Sequence, residues 1–291
     1  MKTNYTTSAL FLVMRLLLPC QLEAQDKGRI ETWSAPSWVG DIAFLSLNTL
    51  TSGLAAGGIR RLTGGSFSDG FAGGAFGGAL HYAGMRTSSR RFDGAGLIGR
   101  QISAAGIAAT RNAADGRPPF EQLWFPLGPL HLYLDFAEGP VLRPKISAAA
   151  SVGLVVAALE RDLTFDVGES LSAGAPVFYL RDRQLMHGGA PANGVTMFGT
   201  IFLSNLQSAE LREQVLAHER VHVSQRDWRF LVFGEPVEDK LVSFVPGGSE
   251  FYRFIDIDIA TAWLPNTLYR LFNVPKSMQL HEVEADYLEV R

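Results

Sequence analysis

The sequence predicts an α+β protein, and three features of its 291 residues support this class. Residues 38–116 are rich in Gly and Ala and divide into three helical segments, separated by Gly-Gly and Arg-Arg pairs. After Arg117-Pro118-Pro119 apolar and polar residues alternate, which is typical of antiparallel strands. From Ser208 onwards the apolar spacing is helical again. We therefore expect a Gly-rich helical N-terminal region, an antiparallel β-sheet and a C-terminal helical region.

The Gly-rich segments place small residues on one face of a helix. Gly70, Gly74 and Gly78 are four residues apart, a spacing that lets neighbouring backbones approach closely. Residues 42–59 carry no charge and are followed by Arg60-Arg61. The length of this uncharged segment is just enough to cross a bilayer. The pattern leaves two interpretations open: a membrane-associated region, or a tightly packed helical layer in water.

The first residues resemble an export signal. Lys2 precedes an apolar stretch at residues 9–18, and the run that ends at Cys20 also resembles a bacterial lipoprotein signal. We expect a protein of the cell envelope that is exported, whether periplasmic, membrane-associated or lipid-anchored; the alternative is an N-terminal helix that stays attached. The predicted organisation is a possible signal at 1–24, the helical region at 38–116 and a sheet with a helical site at 117–291.

Composition limits the chemistry of the chain. The net charge of −3 and the absence of a basic stripe exclude nucleic acid as a favoured partner. Cys20 is the one cysteine, so no intrachain disulfide forms, and a metal would be held by His, Asp or Glu.

The period-two pattern and its turn residues predict individual strands, and the helical pattern predicts three later helices. The strands are expected at residues 130–136, 146–159, 163–167, 177–180 and 195–203. The helices are expected after Ser208, across residues 251–272, and in the last segment with Ser277 as N-cap.

A metal-binding motif lies in the helix after Ser208. His218, Glu219 and His222 form H-E-x-x-H. Because residues four apart lie one turn apart on the same helix face, both imidazoles can reach one ion. Glu219 points about 100° away and can take a proton from a metal-bound water, the general-base role in hydrolysis. The alternative is two unrelated histidines on a helix surface.

The last helix offers a third ligand. Glu282 can complete a site of two histidines and one carboxylate, with an open position for water. Asp286, four residues later, can accept a hydrogen bond from a ligand histidine and fix its tautomer. His281, Glu284 and Asp227 are rival ligands.

Three segments in this order resemble the gluzincin metallopeptidases, most closely the group of the CAAX prenyl endopeptidase and its bacterial heat-shock membrane relatives. That group pairs H-E-x-x-H-V-x-x-R-H with a later E-x-E-A-D helix; here residues 218–227 read HERVHVSQRD and residues 282–286 read EVEAD. An Asn-initiated strand precedes the helix in the family, and residues 193–204 (NGVTMFGTIFLS) are similar to it. The resemblance covers about residues 190–291.

The resemblance implies a zincin-like active-site region that binds one Zn²⁺ per chain and hydrolyses a peptide or protein substrate. It implies that Glu282 is the third ligand, that Asp286 supports a histidine, and that Glu219 is the general base. It also implies that an extended substrate adds to an exposed edge strand. The residues expected on that edge are Thr196, Phe198, Thr200 and Phe202.

The chain also departs from the family pattern. Arg220 replaces a usually apolar residue, Asp227 replaces a histidine, and the oxyanion-stabilising residue is not assigned. The candidates for that role are Tyr287, Arg291, Tyr269 and His187. These departures favour an alternative function: a non-catalytic envelope or membrane-anchored binding protein with a structural or degenerate metal site.

Overall fold

The structure is a computed structural model, and it describes residues 37–160, 162–181, 185–187, 190–205, 208–244, 247–258 and 279–289. The chain divides into two compact units, Met1–Ala43 and Phe44–Arg291. All contacts reported below belong to the second unit. The predicted signal at 1–24 lies outside the described residues. The domain boundary at residue 117 stays a prediction.

Three helices form the Gly-rich region, as the sequence predicts. They are α1 (Ser37–Leu62), α2 (Phe67–Ser88) and α3 (Ala95–Asp115). The glycines allow close packing: a Cβ at Gly78 would lie 2.2 Å from the backbone oxygen of Asn48 in α1, and one at Gly84 would lie 2.2 Å from the backbone nitrogen of Ser103 in α3. Small residues therefore let these helices pack almost backbone to backbone.

Among the described residues, one helix is long and apolar enough to cross a membrane. It is Trp38–Leu62 within α1, and a third of its most apolar stretch is buried inside the protein. Length and composition support a membrane anchor, and the same two properties are found in core helices.

The first sheet has the strand order β1-β2-β3-β10. Its strands are β1 (Gln122–Leu127), β2 (Leu130–Asp135), β3 (Val141–Ser147) and β10 (Ile255–Asp256). The first three pair antiparallel, and β10 lies parallel to β3. The predicted strand at 130–136 is confirmed as β2.

The predicted strand at 146–159 is wrong, because β3 ends at Ser147 and a helix, α4 (Ala148–Leu159), follows at once. Ser147 caps the helix by accepting the Ala150 amide at 3.0 Å, and Asp258 accepts the Ala149 amide at 2.9 Å. The valines suggested a strand, but the Ala-rich sequence after a serine N-cap favours a helix.

The second sheet has the order β4-β5-β9-β8 and is mixed, because β5 and β9 pair parallel while the outer pairs are antiparallel. The strands are β4 (Leu163–Phe165), β5 (Val177–Leu180), β8 (Gly194–Met197) and β9 (Thr200–Ser204). A short helix α5 (Val167–Ala173) links β4 to β5, and β6 (Leu185–His187) pairs with β7 (Ala190–Ala192). The α+β class is correct; the purely antiparallel sheet is not.

The C-terminal half supplies helices α6 (Ala209–Arg229), α7 (Glu235–Ser243), α8 (Gly248–Tyr252) and α9 (Leu280–Glu289), with a π-helical turn at Phe230–Gly234 after α6. The helix predicted across 251–272 is wrong at its start, where α8 ends and β10 pairs with β3; residues 259–278 lie outside the description. One core joins α6 to the second sheet through Leu216, Val223, Val177 and Ile201.

Candidate metal centre

Helix α6 carries the H-E-x-x-H motif and is fixed at both ends. Ser208 caps it by accepting the Leu211 amide at 3.3 Å, and Arg226 and Arg229 lie in its last turn, where cations complement the helix dipole. Its apolar face packs on β5 and β9. The motif therefore sits on a rigid element, as a geometrically demanding site requires.

The two histidines and the carboxylate of α9 converge on one point. The Nε2 atoms of His218 and His222 lie 3.0 Å apart, and Glu282 Oε2 lies 3.7 Å and 3.5 Å from them. Ligand bonds of 2.0–2.2 Å in a tetrahedral zinc site separate neighbouring ligand atoms by about 3.3 Å. The triangle of donor atoms therefore has the size that one zinc ion needs.

The outer nitrogen of His218 faces two carboxylates. Its Nδ1 lies 3.2 Å from Asp286 Oδ1 and 3.1 Å from Glu289 Oε2, both on α9. Burial lowers the pKa of His218, but hydrogen bonds to Asp286, Glu282 and Glu289 outweigh it and raise that pKa well above 6.5. The predicted contact between Asp286 and a ligand histidine is present, and the sequence reasoning missed Glu289, which follows Asp286 by three residues on the same face.

The outer nitrogen of His222 faces a neutral side chain instead. His222 Nδ1 lies 2.8 Å from Gln225 Oε1, three residues later on α6. The sequence reasoning missed Gln225 as well, although its i+3 spacing from His222 was visible. Each histidine thus has a hydrogen-bond partner on one nitrogen and turns the other towards Glu282.

Glu219 is buried against strand β8. It is 5% exposed, and the hydroxyl of Thr196 lies 2.7 Å from its Oε2 and 3.1 Å from its backbone oxygen. The approach depends on Gly194, since a Cβ there would lie 2.5 Å from Val215 Cγ1 and 3.1 Å from Glu219 Cγ. The strand therefore holds the carboxylate of the predicted general base in place.

The predicted edge strand is only partly correct. Residues 195–203 form a hairpin, because Phe198 (φ 54°) and Gly199 (φ 76°) make a tight turn between β8 and β9. Thr196 lies on β8 at the sheet edge, but Thr200 and Phe202 lie on β9 between two strands and are buried. The continuous apolar run concealed the turn. In the described part of this sheet, β8 and not β9 is the edge strand on this side.

The three rival ligands have other partners. Asp227 pairs with buried Arg100 at 2.8 Å, so it belongs to the core. Glu284 accepts from Gln225. The His281 ring packs edge-on against the His222 ring with centroids 5.6 Å apart, and its Nε2 lies 3.6 Å from Glu282 Oε1.

Of the oxyanion candidates, Tyr287 is buried with its ring centroid 5.1 Å from that of Phe44. Tyr269, Arg291 and the side chain of His187 lie outside the described part of the chain.

Arg220 lies on the opposite side of α6 from the histidines. It is 6% exposed, donates to Ser172 Oγ at 3.3 Å and lies 4.0 Å from Glu169. Burial lowers its pKa despite these neighbours. It lines an open groove of about 920 Å³ together with Tyr179 and Arg212.

Comparison of the chain with protein families, with curated proteins and with solved structures finds no match.

Proposed function

We propose that this protein is a zinc-dependent metalloendopeptidase. The observation that carries the proposal is the convergence of His218, His222 and Glu282, which come from two helices and meet at zinc-ligand spacing although Glu282 follows His222 by 60 residues. The carboxylate beside the first histidine, Glu219, supplies the base that hydrolysis needs. The resemblance to gluzincins in the same three segments supports this interpretation.

The residues divide the work of peptide hydrolysis. His218, His222 and Glu282 would hold the ion, which supplies Lewis acidity and an acidified water when bound. Glu219 would take a proton from the attacking water and pass it to the leaving amine. Thr196 donates to Oε2 of Glu219 and so orients the carboxylate. The open edge of β8 is where backbone hydrogen bonds would align an extended substrate.

The test combines metal content with proteolysis on four variants. His218→Ala and Glu282→Ala are expected to lose one zinc per chain, whereas Glu219→Gln is expected to keep zinc and lose hydrolysis of an unstructured protein by 10²-fold or more, as an estimate for a general base. Glu213→Gln, an exposed carboxylate of the same helix, is the matched control and is expected to change neither.

Two results would contradict the proposal. A folded parent that binds no zinc when zinc is offered has no metal centre, and hydrolysis that survives Glu219→Gln does not use the assigned base. A parent that binds zinc at His218, His222 and Glu282 but hydrolyses no peptide supports the alternative, a binding protein with a structural metal site.

We also propose that the protein works in the cell envelope. The support is the apolar helix Trp38–Leu62 together with the export-like N-terminus. Asn48 follows Trp38 by ten residues, which places it about 15 Å along the axis of α1 and close to the middle of the apolar stretch. If α1 spans a bilayer, the α6 and α9 residues that contact it lie at membrane depth; carbonate extraction of the membrane fraction distinguishes this arrangement from a soluble core helix.

A further inference from the structure

The outer nitrogen of His222 is held by a chain of three polar side chains. His222 Nδ1 contacts Gln225 Oε1 at 2.8 Å, Gln225 Nε2 lies 2.9 Å from Glu284 Oε2, and Glu284 Oε1 lies 2.5 Å from Asn48 Nδ2. The chain passes from α6 to α9 and then to α1.

Acceptors on α9 fix the direction of the Gln225 amide. Its nitrogen faces the Glu284 carboxylate and also the backbone oxygen of His281, at 3.1 Å. The backbone oxygen of His281 can only accept, so the NH₂ end of Gln225 must point at it and the amide oxygen must point at His222. An oxygen there accepts a hydrogen bond, so Nδ1 of His222 is the donor and its Nε2 is left to bind a metal ion.

The far end of the chain is tied to helix α1. Asn48 is an amide with two hydrogens: one is donated to Glu284 and the other to the Phe44 backbone oxygen at 2.9 Å. Glu284 is 6% exposed and Gln225 is 7% exposed, so water has little access to replace a lost partner.

Other contacts hold α1 against the two helices that carry ligands. Trp228 of α6 donates its indole hydrogen to Ser52 Oγ at 3.0 Å, and the ring of Tyr287 in α9 packs on Phe44. Helix α1 is therefore fixed to both helices that carry the candidate ligands.

We propose that Gln225, Glu284 and Asn48 are positioning residues that hold His222 in its Nδ1-protonated form and aim its Nε2 at the metal, so that helix α1 sets metal affinity from outside the ligand set. This inference rests on the proposed metal centre. It adds to that function a control that acts on one ligand only, because His218 takes its partners directly from Asp286 and Glu289.

The experiment measures zinc affinity by competition with a chromophoric chelator and records the visible absorption of the Co²⁺-substituted protein. Gln225→Leu removes the acceptor and is expected to weaken zinc binding about 10–100-fold, as loss of an outer partner of a ligand histidine typically does. Asn48→Leu acts two links away and is expected to weaken it about 3–10-fold. Both variants are expected to shift the Co²⁺ absorption bands, which a change in stability alone does not move.

Two further variants separate positioning from folding. Ser52→Ala removes another α1 contact without touching the chain and is expected to leave affinity within about 2-fold and the Co²⁺ spectrum unchanged. The double variant Gln225→Glu with Glu284→Gln reverses donor and acceptor. The carboxylate at position 225 then accepts from His222 and from the amide at position 284. The oxygen of that amide accepts from Asn48. This pair is expected to regain affinity relative to Glu284→Gln alone.

The outcomes separate this inference from the function on which it rests. A parent that binds no metal overturns the proposed function and this inference with it. A parent that binds zinc, with Gln225→Leu and Asn48→Leu unchanged in affinity and Co²⁺ spectrum, overturns the positioning chain alone. Equal weakening by Ser52→Ala and Asn48→Leu also overturns it, since the effect would then be general loosening of α1.

Discussion

Asp227, the last residue of the segment 218–227, is expected to matter for stability and not for the metal. Its carboxylate receives Arg100 Nε at 2.8 Å and Arg100 Nη2 at 3.3 Å, a two-point contact, and Arg226 Nη1 lies 3.5 Å away. Arg100 and Asp227 side chains are each 2% exposed. Asp227→Ala leaves a guanidinium buried beside a second arginine.

The size of the effect follows from this burial. Removing one partner of a buried ion pair costs about 3–5 kcal/mol, because the remaining charge has lost its counterion and water cannot reach it. For a protein of 291 residues the entropy of unfolding is about 0.6 kcal/mol/K, so the melting temperature is expected to fall by about 5–8 °C.

The assay is denaturant and thermal unfolding of Asp227→Ala beside Glu210→Ala, an exposed carboxylate in the first turn of the same helix. The control is expected to change the free energy of unfolding by less than about 1 kcal/mol. Zinc stoichiometry is expected to stay at the parent value in both. Loss of zinc without destabilisation would make Asp227 a ligand after all, and a cost below about 1 kcal/mol would refute the reasoning from the buried pair.

Three further predictions test the surroundings of the site. Burial raises the pKa of Glu238 to about 7, so between about pH 4.5 and pH 7 the folded protein holds a proton that the unfolded chain has lost. The free energy of unfolding is therefore expected to fall by up to about 3 kcal/mol as pH rises from 4.5 to 7. Glu238→Gln is expected to flatten this pH dependence in unfolding curves. Gly194→Ala forces a methyl against Val215 and is expected to cost about 1–3 kcal/mol in the free energy of unfolding; an unchanged value would refute the close approach. Thr196→Val is expected to keep zinc content but slow hydrolysis about 10-fold by releasing Glu219, whereas Thr196→Ser is expected to keep the rate.

The elements that the sequence predicted well have strong local determinants. Helix α6 follows from its serine N-cap and 3.6-residue apolar spacing, and β5 follows from a short apolar run between turn residues. Helix α4 was missed because its valines suggested a strand. Its N-terminal cap is completed by Asp258, which lies 109 residues after Ala149 in the chain and is not visible in the local sequence. The β8–β9 hairpin was missed because Phe198 is not a common residue at positive φ.

The sequence by itself predicted the three candidate ligand residues, because helical geometry places His218 and His222 one turn apart and a later Glu-x-x-x-Asp helix offers one carboxylate for an ion and one for support. It also determined the α+β class, since apolar periodicity is a local property. Only the tertiary structure decided which outer partner each histidine has. The partners of His218 come from α9, and Gln225, the partner of His222 on its own helix, is oriented by His281 and Glu284 of α9. Contacts between helices depend on the packing of the whole chain. The position of Asp227 beside Arg100 in the core also depends on the packing of the whole chain. These two residues are far apart in sequence, and no local sequence pattern predicts their contact.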